Sequence, residues 1–182
     1  MVLAWAGDLP CGAGMTVVIA VVGQQYAIGD GAGSLEVCDR LPLTCVSNYQ
    51  VANAISLLQT LKRYERRGEI AALIERPTIR ATCEGVEAFV AGTFCGSLIA
   101  ALSTVAAHVH LPFPQTWRGK LAVPCDYLGT INAAQHKFGV DRFRTDMTEP
   151  RMFACEAEKS AACLLTLFAK ANKTRTARSA AA

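Results

Sequence analysis

The stretch Ile70-Ala71-Ala72-Leu73-Ile74-Glu75-Arg76-Pro77 decides how the chain is read. Five apolar residues run into one carboxylate, then an arginine, then a proline. A short apolar run closed by breakers is a strand buried on both faces. Proline has no N–H to give a sheet ladder, so the strand ends beside it. Glu75 is thereby predicted at the mouth of a central sheet, where open α/β sheets keep their sites. A carboxylate there is paired, hydrogen-bonded or on a metal. A Glu75–Arg76 surface pair just past the strand end is the plainer alternative.

The elements around that strand make an α/β pattern. Thr16–Val22 is apolar and β-branched, as a central strand requires, and Gly23 breaks it. Tyr26–Gly29 and Ser34–Asp39 are two further strands, with Asp30-Gly31-Ala32-Gly33 as the turn of an antiparallel meander. Asp30 and Asp39 fall at turn or strand-end positions, where aspartate is mostly structural. Leu41–Ser47 reads as a loop. Ser47 or Asn48 caps a predicted helix to about Arg67, with Val51, Ala54, Ile55, Leu58 and Leu61 as its apolar stripe. Thr82 to about His108 is a long helix with Ala88, Gly92, Gly96 and Ala100 on one face, open to close approach by the sheet or by a second subunit. Leu111–Pro114 is extended, residues 115–120 are a turn, and Tyr127–Phe138 and Met152 to about Ala171 are helices.

The totals set outer bounds. A chain of 182 residues forms one domain with a sizeable core. A net charge of +3 permits nucleic acid without requiring it. The eight cysteines form no Cys-x-x-Cys pair and have no histidines at zinc-finger spacing. Several sit in apolar runs, so they are read as reduced thiols of an intracellular protein. Residues 1–14 have no basic start and no long apolar core, and read as an extension ahead of the fold. Ala88–Ala107 is twenty residues without a charge, long enough for a bilayer, but its Gly, Ser, Thr and Ala content and missing aromatic belt favour a buried helix and no membrane.

Several segments, in this order, resemble the RuvC family of Holliday junction resolvases, especially the short phage versions, within the ribonuclease H-like superfamily. Val17-Val18-Ile19-Ala20-Val21 is similar to the family's first strand, and Asp30-Gly31-Ala32-Gly33-Ser34-Leu35-Glu36-Val37 to its second hairpin. Leu73-Ile74-Glu75-Arg76-Pro77 matches the strand whose glutamate binds metal. Gly85-Val86-Glu87-Ala88-Phe89, with Gly92 and Gly96, resembles the long helix, and Pro114-Gln115-Thr116-Trp117 with Lys120 the Pro-x-x-Trp-Lys segment. Glu156-Ala157-Glu158 and the apolar run after it resemble the closing helix, whose acids complete the site. The resemblance spans residues 15–171 and implies a ribonuclease H-like α/β fold: a mixed central sheet, three antiparallel strands then parallel ones, flanked by helices. Residues 172–182 form a basic tail expected to be disordered.

The chemistry implied is phosphodiester hydrolysis with Mg2+ or Mn2+. Two ions about 3.5–4 Å apart stabilise the attacking and leaving oxygens, and hard oxygen ligands select these metals. The implied ligands and catalytic acids are Glu75, Glu158 and Glu156. Two residues apart on a helix, Glu156 and Glu158 point about 200° apart, so they do not easily share one ion. The family pattern favours Glu158. One departure matters. The family carries an aspartate before the glycine that ends its first strand; this chain has Val21-Val22-Gly23, and valine cannot ligate. Cys155 stands where an acid is also common, and a thiolate suits magnesium poorly. Cleavage is therefore expected to be impaired, unless Asp30 or Asp39 reaches the site.

The implied partner is branched DNA, a four-way junction, bound by a homodimer whose two-fold symmetry matches the substrate. Arg76, Arg80, Arg118 and Lys120 are the candidate phosphate contacts, with Lys170, Lys173, Arg175 and Arg178 in the tail. Trp117 either stacks on a base or packs in the core. The location implied is the cytoplasm, that of the host for a phage protein. A catalytically inactive DNA-binding or scaffolding relative is the alternative. An actin-like ATPase fragment would need a second lobe, for which the chain is too short.

Overall fold

β1 (Val17–Val22) lies in the middle of a five-stranded sheet. β2 (Gln25–Gly29) and β3 (Leu35–Arg40) add antiparallel on one side; β6 (Ile70–Ile74) and β7 (His108–His110) add parallel on the other, in the order β3-β2-β1-β6-β7. This computed structural model describes residues 17–30, 34–46, 49–64, 69–78 and 85–179. The mixed sheet is the one expected, and a separate two-stranded hairpin stands beside it in the chain.

The loop expected at Leu41–Ser47 and the start of the helix expected after it are strands at residues 43–46 and 49–52. They form a separate hairpin, β4 (Leu43–Val46) with β5 (Tyr49–Ala52). The helix that follows, α1 (Ala54–Lys62), starts later than expected, capped by the Asn53 side chain, which accepts from the Ser56 amide at 3.1 Å; Ser47 and Asn48 lie outside the described residues. Its inward residues are Leu57 and Leu61, and Ile55 is 71% exposed.

α2 (Gly85–Leu102) ends before His108, and the three residues His108–His110 pair with β6. The small-residue face of α2 does not meet the sheet: a Cβ at Gly92 or Gly96 would touch nothing within 4 Å. The buried side is Cys95, Leu98, Ala101 and Leu102. By length and composition α2 is apolar enough to cross a membrane. Residues expected to be a turn form α3 (Pro114–Leu121), with Pro114 in the first helical turn, where its missing N–H costs nothing. α4 (Tyr127–Phe138) has the expected bounds and an Asp126 cap. α5 (Pro150–Ser179) runs past Ala171 into the segment expected to be a tail, whose alanines, lysines and arginines are good helix formers.

Side chains of β1 and β6 alternate strictly. Val18, Ala20, Val22, Ala71 and Leu73 pack with α3, α4 and α5; Val17, Ile19, Val21, Ile70, Ala72 and Ile74 pack with α1 and α2. The alternation fixes where the residues beyond the strand end point. Glu75 continues the Ala71–Leu73 series, toward α3 and α5.

Candidate active site

At the C-terminal ends of β1 and β6 the sheet opens into a cleft of about 780 Å³, walled by α2 on one side and by α3, α4 and α5 on the other. Glu75, Glu158, Glu87, Arg76 and Arg118 line it among mostly apolar neighbours such as Val22, Val90, Phe94 and Ala161.

Glu75 is fixed from two directions. Its amide donates to the Val21 carbonyl at 2.8 Å, which extends the β1–β6 ladder by one residue. Its carboxylate accepts from the indole Nε1 of Trp117 at 2.6 Å. Trp117 is fully buried, so its ring packs in the core and cannot stack on a base. Its polar edge orients the acid instead. Burial raises the Glu75 carboxyl above its usual range; Trp117 and the Arg118 charge oppose the shift, and the Glu158 charge adds to it.

Glu158 reaches the same cleft from α5. The Gln24 amide donates to its Oε2 at 3.3 Å. Its carboxylate fills the space a side chain would need at residue 23: a Cβ built on Gly23 would stand 2.5 Å from it. Gly23 also has φ +54°, a left-handed backbone that favours glycine. The turn between β1 and β2 is thus shaped around an acid from the far end of the chain. Burial raises this carboxyl too, against the Gln24 amide and the Arg40 charge.

The other predicted residues are placed as follows. Glu156 points away from the cleft; it accepts from the Arg144 amide and pairs with Lys159 at 3.2 Å. The helical twist between residues 156 and 158 is the reason. Val22 faces the α5 side beside Glu75, at the strand end where the family's aspartate is expected, and supplies no oxygen. Neither Asp30 nor Asp39 makes up for it. Asp30 caps the β2–β3 turn by accepting from the Ser34 amide, at the other end of β2. Asp39 pairs with Tyr26, which packs on the α1–α2 face. Arg118 turns inward: its Nη1 donates to the Pro124 carbonyl and the Thr130 hydroxyl, and its guanidinium lies 4.7 Å from the Trp117 ring centre. Arg76 lies 4.4 Å over the Phe113 ring, and Lys120, exposed, 5.0 Å over Phe168. Arg80 and the side chains of Lys170, Lys173, Arg175 and Arg178 lie outside the described residues.

Sequence reasoning missed Glu87, a third carboxylate at this cleft, carried by the first turn of α2. It also missed the part of Gly23, although a glycine just past a buried strand was a signal for close approach.

No protein-family model matches the sequence, and no curated protein matches it. Solved structures do. One is RuvC of T. thermophilus in complex with Holliday junction substrate: 12% identity over 85% of this chain and 97% of that one, TM-score 0.54. The fold is that of RuvC. A second Thermus thermophilus RuvC structure covers 88% of this chain and 96% of its own, at 15% identity and TM-score 0.48. On this RuvC fold the cleft holding Glu75 and Glu158 lies at the carboxyl ends of the parallel strands, where open α/β folds bind their ligands.

The donors fit a hard divalent ion in part. Glu75 and Glu158 come from different elements and share a cleft, and Mg2+ is commonly held by one or two carboxylates with water and phosphate completing its shell. Among the described residues no three His, Cys, Asp or Glu side chains stand together as a metal cluster. The set suits one ion rather than a closely spaced pair.

Proposed function

We propose that this protein is a structure-specific DNA-binding nuclease of the Holliday junction resolvase type, dependent on Mg2+ or Mn2+ and weak in cleavage. The observation that carries the reading is the meeting of Glu75 and Glu158, one from a central strand end and one from the closing helix, in one cleft of a RuvC fold. Bound between them, a divalent ion would supply positive charge to a scissile phosphate. The protein's own groups prepare that place. The Trp117 indole and the Gln24 amide hold one oxygen of each acid, which leaves the carboxylates oriented before any ion arrives. Arg118 adds positive charge behind Glu75, and the mostly apolar lining lowers the local dielectric, which strengthens each electrostatic contact. Val22 beside Glu75 is the reason for weak chemistry, since it removes the ligand that would complete a two-ion site.

Arg76 and Lys120 are the described cations best placed to meet a phosphodiester backbone, through charge rather than sequence. Two copies joined through the outward small-residue face of α2 would present two such clefts to a symmetric junction. A binding-only relative is the second reading, favoured by the same Val22.

The test is a labelled four-way junction incubated with Mg2+ or Mn2+, wild type beside Glu75→Gln. Slow cutting by the wild type alone, with junction binding by both proteins that persists in EDTA and falls steeply with salt, is the expected result. Binding without any cutting selects the second reading, and equal cutting by both proteins removes Glu75 from the site.

A further inference from the structure

The sulfur atoms of Cys38 and Cys163 lie 3.0 Å apart, brought together across 125 positions of sequence. Cys38 sits on β3, the edge strand; Cys163 sits on α5, one and a half turns beyond Glu158. In the reduced state the Cys163 thiol donates to Cys38, and the Cys38 thiol lies 3.7 Å from the Lys159 carbonyl. The two cysteines differ in access. Cys163 is fully buried, whereas Cys38 is only half-buried. The contact with Cys38, and then burial, push the Cys163 thiol up.

We propose that Cys38 and Cys163 are a thiol pair that hydroperoxides convert to a disulfide, locking α5 to the edge of the sheet. The steps balance without a metal. Cys38 sulfur attacks one peroxide oxygen, the O–O bond breaks, and Cys38 becomes a sulfenic acid as one water leaves. Cys163 sulfur then displaces the hydroxyl from Cys38, its own proton leaving with that hydroxyl as a second water. Two thiols and one hydrogen peroxide give one disulfide and two waters. Closing the sulfurs to bonding distance, about 2.05 Å, asks for about 1 Å of travel. An edge strand with a single neighbour, whose register already shifts between Ile28 and Gly29, gives that travel more easily than a central one. The bond would join the start of the fold to its last helix, where long loops gain most.

The inference does not rest on the nuclease reading. The whole chain is treated with hydrogen peroxide, alkylated without reduction, digested, and mapped by mass spectrometry. The expected result is a cross-linked Cys38–Cys163 peptide, two hydrogens lighter than the sum, and a Tm higher by about 5–10 °C that dithiothreitol reverses. Cys38→Ser removes both effects, and Cys155→Ser, at an exposed thiol, leaves both in place. Recovery of residues 38 and 163 as separate alkylated peptides, or of Cys38 as sulfinic acid alone, overturns the proposal. An equal Tm rise in Cys38→Ser does so too.

Discussion

The two faces of the central sheet are built from strands of one composition and covered in different ways. On the α5 side, Val18, Ala20, Val22 and Leu73 meet a helix buried almost continuously from Ser160 to Ala169, with Trp117 and Ile131 closing the layer. On the α2 side, Leu57 and Leu61 of α1 and only the C-terminal half of α2 reach the strands, while Val86 and Phe89 stand 62% and 58% exposed. Both helices are charge-poor over these stretches. The comparison teaches that apolar composition marks a helix as able to be buried, and that the neighbours available decide whether it is. The cleft lies where the close-packed side gives way to the open one, so its two best acids are anchored in the close-packed half.

Substitutions can break that contrast. The largest effect is expected at Trp117. Trp117→Ala should cost about 3–5 kcal/mol of unfolding free energy in urea, since it empties a filled site and strips Glu75 of its donor. Trp117→Phe should restore most of the stability without restoring the hydrogen bond. A cost under about 1 kcal/mol for the alanine variant would show that the α5 side is not the more tightly packed one.

Gly23→Ala comes next, at about 1–3 kcal/mol, part from the positive φ and part from displacing the Glu158 carboxylate. In a Glu158→Ala background only the backbone part should remain. Equal costs in both backgrounds would mean that the turn and the acid are independent.

A smaller effect is expected at His110, which pairs with Leu73 and so lies on the α5 side. Its Nε2 is buried and has no hydrogen-bond partner among the described residues, and burial, then His108, hold the imidazole below its usual range. The unfolded chain therefore takes up the proton first as pH falls. The stability is present above the ordinary histidine pKa, near 6.5, and is lost as pH drops through the folded value. The slope should be well under the about 1.4 kcal/mol per pH unit of a fully buried group, because solvent reaches the ring. His110→Gln should flatten the Tm-against-pH curve below about pH 6.5.

The smallest effect is expected at Ile55, which helical spacing assigned to the buried stripe of α1. Ile55→Ser should change stability by no more than about 0.5 kcal/mol. A loss of about 2 kcal/mol or more, as for a core residue, would show the α2 side to be closed as tightly as the other.

These residues also show which signals carried. The strand at 70–74, the meander at 17–40 and the helix at 127–138 were legible because apolar runs and turn residues act over a few positions. The β4–β5 hairpin was not, since its strands are four residues each and Val51 also fits the helical stripe of the segment that follows. The α3 helix was hidden by the prolines around it, although proline in a first turn starts a helix rather than ends one. Glu75 was legible as the polar end of a buried strand. Glu87 was not, because nothing local distinguishes a carboxylate facing a cleft from one facing solvent.

By itself the sequence determined the sheet's central strands, the helices that follow them and the acid at the end of Ile70–Ile74, because alternation and periodicity are properties of neighbours along the chain. It also determined that no acid stands at Val22. The tertiary structure alone decided that Glu87 reaches the cleft, that Trp117 faces an acid and not a base, and that Cys38 meets Cys163. Those outcomes depend on how far a helix turns before it docks, which is set by packing against residues more than a hundred positions away.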